Sequence, residues 1–203
     1  MSRRRAGALA ALALLAGCTS AGSPSARSPS DGSVGRGPST ATLKARAALD
    51  PCPQVFSSSP GQKGSGRLPD LTLRCLGDGP AVRLAGLSGR PAVVNLWAAW
   101  CGPCRKEAPA FQRLHVAAGD RVRVLGVLTE DPDRDALDAA AHLGIHYPSV
   151  VDGDGRLLDH SGVRALPVTY FVEASGRAHR YVGPPLSYDA LRRLVGQHLG
   201  VRV

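Results

Sequence analysis

The sequence predicts an α/β domain built on a mixed central sheet, and three observations carry that expectation. Two nearly continuous apolar runs, Ala92–Trp97 (AVVNLW) and Val122–Leu128, fit strands buried on both faces. Stretches of helical character follow each of them. The last forty residues then change to strand, turn, strand and helix, which adds antiparallel strands to a parallel core.

In order along the chain, Leu68–Leu73 alternates and is predicted as a short strand, with Ala81–Leu84 as its hairpin partner. Gly86 to Pro91 is a turn before the Ala92–Trp97 strand. Cys101-Gly102-Pro103-Cys104 then opens a helix that runs to about Ala117. After the strand Val122–Leu128, Asp131-Pro132 offers an N-cap and a first-turn proline for an extra middle helix reaching about Leu143. Pro148–Val151 is a short strand and Asp152-Gly153-Asp154-Gly155 a tight turn. Leu166–Val172 and Ala178–Val182 are antiparallel strands about Ala174-Ser175-Gly176. Ser187–Leu199 carries Leu191, Leu194, Val195 and Leu199 at helical spacing.

The chain has 203 residues, 43% of them hydrophobic, enough for one ordinary domain with residues to spare. Residues 1–18 (MSRRRAGALAALALLAGC) have a basic start and an apolar run, Ala6–Ala16, far shorter than a membrane span needs. They are predicted as a signal peptide. Leu15-Ala16-Gly17-Cys18 resembles a bacterial lipoprotein signal, in which Cys18 is acylated and becomes the first mature residue. Residues 19–50 are rich in Ser, Gly, Pro and Ala and are predicted as a flexible tether. Residues 51–203 are the predicted domain. Net charge is +9, of which Arg3, Arg4 and Arg5 carry three. The other arginines are scattered, with few aromatics among them, so a nucleic-acid partner is not expected. A basic surface beside anionic lipid is the better reading.

Five cysteines are present: Cys18, Cys52, Cys75, Cys101 and Cys104. With Cys18 lipidated and Cys101 and Cys104 paired within CxxC, Cys52 is left with Cys75. An exported chain keeps such disulfides. Closing that loop of about 24 residues stabilises by roughly 3 kcal/mol in the chain-entropy picture. The pair is read as a structural staple, with a second redox pair as the alternative.

Trp100-Cys101-Gly102-Pro103-Cys104 lies between a buried strand and a helix. A thiolate is the nucleophile in disulfide exchange, and free N–H groups at a helix start stabilise it. Two intervening residues let the pair close within the first turn. Pro103 loses little by its missing N–H there, Gly102 leaves the sulfur open, and Trp100 shelters one side. A zinc site lacks the ligands it needs, because there is no second CxxC and the histidines are dispersed. Covalent haem needs His after the second Cys, where this chain has Arg105. No metal or other cofactor is implied. Asp152–Gly155 lacks the later Glu of a calcium loop.

The run VVNLWAAWCGPCRKEAP, with ALPVTYFV and Gly183, resembles the thioredoxin superfamily, and within it the TlpA/ResA-like branch of membrane-anchored oxidoreductases. The resemblance covers about Leu68 to the C-terminus and implies a thioredoxin-like fold. It further implies that Cys101 attacks and Cys104 resolves. Pro167 is implied as a cis-proline facing CxxC, Leu166 as a backbone partner of the substrate strand, and Gly183 as a glycine beside the site. Asn95 departs from cytoplasmic thioredoxins, which place a buried Asp there. Asn carries no ionisable proton, so Glu107, one helical turn beyond Cys104, is the expected proton carrier.

The expected activity is extracytoplasmic thiol–disulfide exchange, as a reductase, with an oxidant that makes disulfides in exported proteins as the alternative. The resemblance implies exported substrates, among them apocytochrome c, and a membrane electron donor of the CcdA/DsbD kind. The expected location is the outer face of the cytoplasmic membrane, held by lipid. A peroxiredoxin would carry Thr where Ala98 stands, three residues before Cys101. A non-catalytic binding module would usually have lost one of the two cysteines.

Overall fold

A computed structural model describes residues 37–54 and 66–203. The signal peptide, Cys18 and the tether as far as residue 36 lie outside the described residues. Residues 37–203 form one compact unit.

Twelve α-helices and strands, with short 3-10 turns at Leu84–Gly86 and Gly119–Arg121, make up the described fold. They are α1 (Thr40–Ala47), β1 (Thr72–Cys75), β2 (Val82–Arg83), β3 (Ala92–Trp97), α2 (Gly102–Ala118), β4 (Arg123–Thr129), α3 (Asp133–Leu143), β5 (Ser149–Asp152), α4 (Arg156–His160), β6 (Val168–Val172), β7 (Ala178–Tyr181) and α5 (Tyr188–Leu199). The sheet order is β2-β1-β5-β4-β3-β6-β7. Strands β5, β4 and β3 are parallel, while β1, β6 and β7 run antiparallel to their neighbours.

All six residues of β3 are buried, because apolar layers cover both faces of the strand. Val93 and Trp97 face a core shared with α2, α3 and α5. Ala92, Val94 and Leu96 face a second core that includes Leu157 and Leu158 of α4. Asn95 shares the period-2 face of Val93 and Trp97, which points it at α2. Ser187 caps α5 by accepting from the Ala190 N–H at 3.2 Å, and Gly200 closes that helix in the left-handed conformation.

Four local expectations are corrected. The first strand spans Thr72–Cys75 rather than Leu68–Leu73, since it pairs β5 through Arg74 and Cys75. The stretch assigned to the tether contains α1, which Ser39 caps through the Thr42 N–H. Leu43 and Ala47 of α1 are buried against the core, so the tether cannot run to residue 50. Asp131 does not cap α3: Pro132 holds the N-cap position and makes no side-chain cap bond. The Asp152–Gly155 turn leads directly into α4, a helix the sequence reading left out. The buried Asp152 carboxylate accepts from the N–H groups of Arg156 (3.0 Å) and Leu157 (2.8 Å), which starts the helix.

A disulfide joins Cys52 to Cys75. It ties the segment after α1 to the end of β1, so the N-terminal arm is fastened to the sheet both covalently and by α1.

The burial of Leu43 gives a measurable expectation. Leu43→Ala should lower the unfolding free energy by about 2–5 kcal/mol, read from guanidinium denaturation. A loss below about 0.5 kcal/mol would mean that α1 is an undocked surface segment.

Candidate functional site

The Cys101–Cys104 pair stands where β3 ends and α2 begins, and in this structure it is a disulfide. Cys101 is the N-cap of α2, and its sulfur accepts the Cys104 N–H at 3.1 Å. This is the geometry in which a helix start stabilises a thiolate. Pro103 lies within the first two helical positions. A Cβ on Gly102 would meet nothing within 4 Å, so the approach on that side is open. Trp100 is 61% exposed beside the pair.

Two bonds from the end of β4 hold the loop that carries the site. The Trp100 indole N–H donates to the Glu130 carbonyl at 3.2 Å. The Ala99 N–H donates to the Asp131 carboxylate at 2.5 Å. Glu130 takes φ +49, a left-handed conformation that orients its carbonyl in the turn leaving β4. Burial pushes the Asp131 carboxyl above its usual range, Ala99 pulls it back, and the charge of Asp135 adds to the rise. Sequence reasoning missed this role. The Asp-Pro pair looked like a helix cap, and only the tertiary placement of β4 beside the loop shows the carboxylate's partner.

Glu107 is buried, with 1% of its surface exposed. Its Oε1 accepts from Asn95 Nδ2 at 2.8 Å and its Oε2 from the Leu186 N–H at 3.0 Å. Asn95 also lies 3.5 Å from the Thr169 hydroxyl, its cross-strand partner on β6. Desolvation raises the Glu107 pKa to about 7, against the lowering pull of the Leu186 and Asn95 donors. Tyr147 is fully buried, and burial together with the Glu107 charge holds its hydroxyl protonated.

Opposite the pair, the Leu166–Pro167 bond is cis. Pro167 is buried and directly precedes β6, whose Val168 pairs with Leu96 of β3. The cis bond therefore lies level with Trp97, at the end of β3 from which the CxxC loop leaves. Leu166 is half-buried against both cores. Gly183 is exposed, and a Cβ there would come within 2.7 Å of the Tyr181 hydroxyl, whose ring folds over it. Trp100, Cys101, Cys104, Glu107, Leu166 and Pro167 thus belong to one end of the sheet, and Gly183 follows β7 at that same end. Cys75, on β1, is separated from β3 by β5 and β4, and Cys52 is bonded to it from the segment after α1. Among the described residues, no three His, Cys, Asp or Glu side chains are grouped to hold a metal ion.

The AhpC/TSA family profile matches residues 65–179, more than half of the chain. The thiol–disulfide oxidoreductase ResA of Geobacillus thermodenitrificans is 27% identical over 132 residues, 64% of this chain and 73% of that protein. A thiol:disulfide interchange protein DsbE homolog of Paracoccus denitrificans is 36% identical over 105 residues. That alignment covers 51% of this chain and just over half, 56%, of the relative. A solved structure of a secreted Mycobacterium tuberculosis disulfide oxidoreductase, homologous to E. coli DsbE, superposes with a TM-score of 0.58 at 26% identity. It spans 66% of this chain and 99% of that one. The fold is thioredoxin-like.

Removing the Asp131 carboxylate tests the clamp. Asp131→Ala should cost about 1–3 kcal/mol in unfolding free energy, because it strands the Ala99 N–H. Asp131→Asn keeps an oxygen acceptor and should cost less than about half as much. Equal losses in the two variants would show that the Ala99 hydrogen bond is not what Asp131 contributes.

Proposed function

We propose that this chain, which belongs to the AhpC/TSA family and has the thioredoxin-like fold, is an extracytoplasmic thiol–disulfide oxidoreductase that acts through Cys101 and Cys104. The observation that carries the reading is the capped sulfur: Cys101 at the start of α2, taking the Cys104 N–H, with its partner cysteine in bonding distance. The relatives named as oxidoreductase and interchange proteins support it.

In the reduced state the Cys101 thiolate attacks one sulfur of a target disulfide. A mixed disulfide forms and the second target sulfur leaves as a thiolate, which takes up a proton. Cys104 then gives up its proton and attacks the Cys101 sulfur. The target's first sulfur is released as a thiolate and takes up a proton, so the target has gained two electrons and two protons, and Cys101–Cys104 is oxidised. Glu107, one turn along α2 from Cys104, receives the Cys104 proton. A carboxyl with a pKa near 7 is matched to that task at neutral pH. Asn95 and the Leu186 N–H hold the carboxylate in place. Trp100, Leu166, cis-Pro167 and Gly183 border the surface a substrate strand crosses, where the Leu166 backbone pairs with it.

The direction is reduction. Gly-Pro between the cysteines is the pair of reducing thioredoxins, and a membrane donor of the CcdA/DsbD kind returns the electrons. Targets are disulfides of exported proteins, with the CxxCH cysteines of apocytochrome c as one candidate. Cys52–Cys75 is a structural staple: Cys52 is buried, and β5 and β4 separate β1, which carries Cys75, from β3 and the CxxC pair. Among the described residues no helix is long and apolar enough to cross a membrane. Attachment through Cys18 lipid, after signal peptide removal, supplies the anchor, and the segment from there to α1 acts as tether.

Two experiments test the reading. With a disulfide-bonded target, Cys104→Ser should trap a mixed disulfide on Cys101, visible by mass spectrometry, while Cys101→Ser should trap none and lose insulin reduction. Trapping on Cys52 or Cys75 instead would overturn the assignment.

Glu107 gives the second test. Between its unfolded value of 4.5 and its folded value of about 7, the folded chain holds more protons than the unfolded one. Stability therefore falls as pH rises through that window, by on the order of 3 kcal/mol. Glu107→Gln should remove this slope and flatten the pH profile of the resolving step. An unchanged profile would exclude Glu107 as the proton acceptor.

A further inference from the structure

The far end of the active-site helix carries a concentration of arginine that the redox chemistry does not use. Arg113, Arg121, Arg192, Arg193 and Arg202 are all exposed. Their contacts bring them together. Arg113 and Arg192 both approach the Tyr188 ring, at 4.0 and 5.9 Å from its centroid. Arg121 Nη1 donates to the Arg202 carbonyl at 2.5 Å, and Arg192 Nε donates to the Val203 main-chain oxygen at 2.6 Å. Arg192, Arg193 and Arg202 line one shallow groove of about 300 Å³, with Asp189 as its carboxylate.

None of the five arginines makes an ion pair among the described residues. Arg46, Arg74 and Arg83 each hold an aspartate elsewhere on the molecule, and Arg90 holds Asp120, the residue before Arg121. The bonds Arg121 makes go to carbonyl oxygens of Ala117, Ala118 and Arg202, which orient the guanidinium without cancelling its charge. Val116, one turn beyond Arg113 on α2, is 72% exposed, the most exposed of the large hydrophobic side chains described. Exposed arginines gathered over one face are the chemistry of a surface that rests on anionic headgroups.

We propose that this face, formed by the C-terminal half of α2, α5 and the residues after it, docks on anionic phospholipid at the membrane to which the chain is tethered. The inference rests on the reading of the chain as exported and membrane-held. Anionic lipid is the occupant because the charge is spread over several exposed arginines, as a sheet of headgroups requires, rather than gathered about one enclosed anion. The orientation suits the chemistry. The seventeen residues of α2 at about 1.5 Å each put its far end about 25 Å from the CxxC end. A membrane touched there leaves Trp100, Cys101 and Gly183 free to meet a partner from the aqueous side.

The test uses the chain without residues 1–17 and with Cys18→Ser, so that neither signal nor lipid contributes. Binding is measured by cosedimentation with phosphatidylcholine vesicles, with and without about 30% phosphatidylglycerol. The protein should bind the anionic vesicles and not the neutral ones, and should lose about tenfold in affinity at high salt. Arg192→Gln, Arg193→Gln and Arg202→Gln together should lose about tenfold in binding, while Arg156→Gln, Arg164→Gln and Arg180→Gln together, with the same charge removed elsewhere, should lose less than about threefold. Insulin reduction should be unchanged in both triple variants, which shows that they are folded and keeps this result separate from the redox reading.

Equal losses in the two triple variants, equal binding to neutral vesicles, or no binding to anionic ones would overturn the proposal. The last outcome would leave an acidic protein as the partner of this face. Displacement by inorganic phosphate beyond the effect of chloride at equal ionic strength would also overturn it, because it would show a discrete phosphate site.

Discussion

Between Trp97, the last residue of a fully buried strand, and Gly102, the first of a helix, the chain must turn and leave the helix's first N–H groups without intrahelical partners. The Cys101 sulfur satisfies one of them by accepting from Cys104. The cap that starts the helix and the polarisation that favours a thiolate are therefore one interaction. The rest of the site depends on keeping that junction fixed. Burial of β3 on both faces anchors its strand side, and the packing of α2 on the sheet anchors its helix side. Glu130 and Asp131 hold the loop between them from the neighbouring strand.

A second constraint is the carboxyl placed under the helix. Burying Glu107 is unfavourable for its charged form, and the two donors from Asn95 and Leu186 offset that only in part. The result is a carboxyl with its pKa raised to about 7, one helical turn along α2 from Cys104. A thioredoxin with Asp on the strand puts its acid on the sheet. Here the sheet contributes Asn95, a donor, and the acid is on the helix. The donor and the carboxyl stand on two elements that meet face to face. Leu186, from the approach to α5, ties the C-terminal helix into the same arrangement.

Much of this was legible in the residues. AVVNLW spells a two-sided buried strand, and the CxxC unit after it specifies a helix start through its own capping requirement. Ser187 and the leucine spacing mark α5. The elements that escaped were those whose signal is short or distant. Helix α1 has only Leu43 and Ala47 to bury and stands in a Ser/Gly-rich stretch, so composition concealed it. Helix α4 is five residues long and begins inside a turn whose Asp152 looked like nothing more than turn chemistry. Asp131 sat in a plausible cap position, yet its carboxylate is spent on Ala99, 32 residues earlier. The burial of Glu107 depends on Leu186, 79 residues away, a relation that helical spacing alone does not contain.

The central claim is that the Cys101–Cys104 pair is a redox couple poised to donate electrons. The most direct measurement is its reduction potential, from equilibration with glutathione and dithiothreitol buffers, with a parallel sample in which Cys52 and Cys75 are replaced by serine. The account predicts a value near that of thioredoxin, about −270 mV, unchanged in the parallel sample. A value near −120 mV would contradict it and identify an oxidant that makes disulfides in exported proteins.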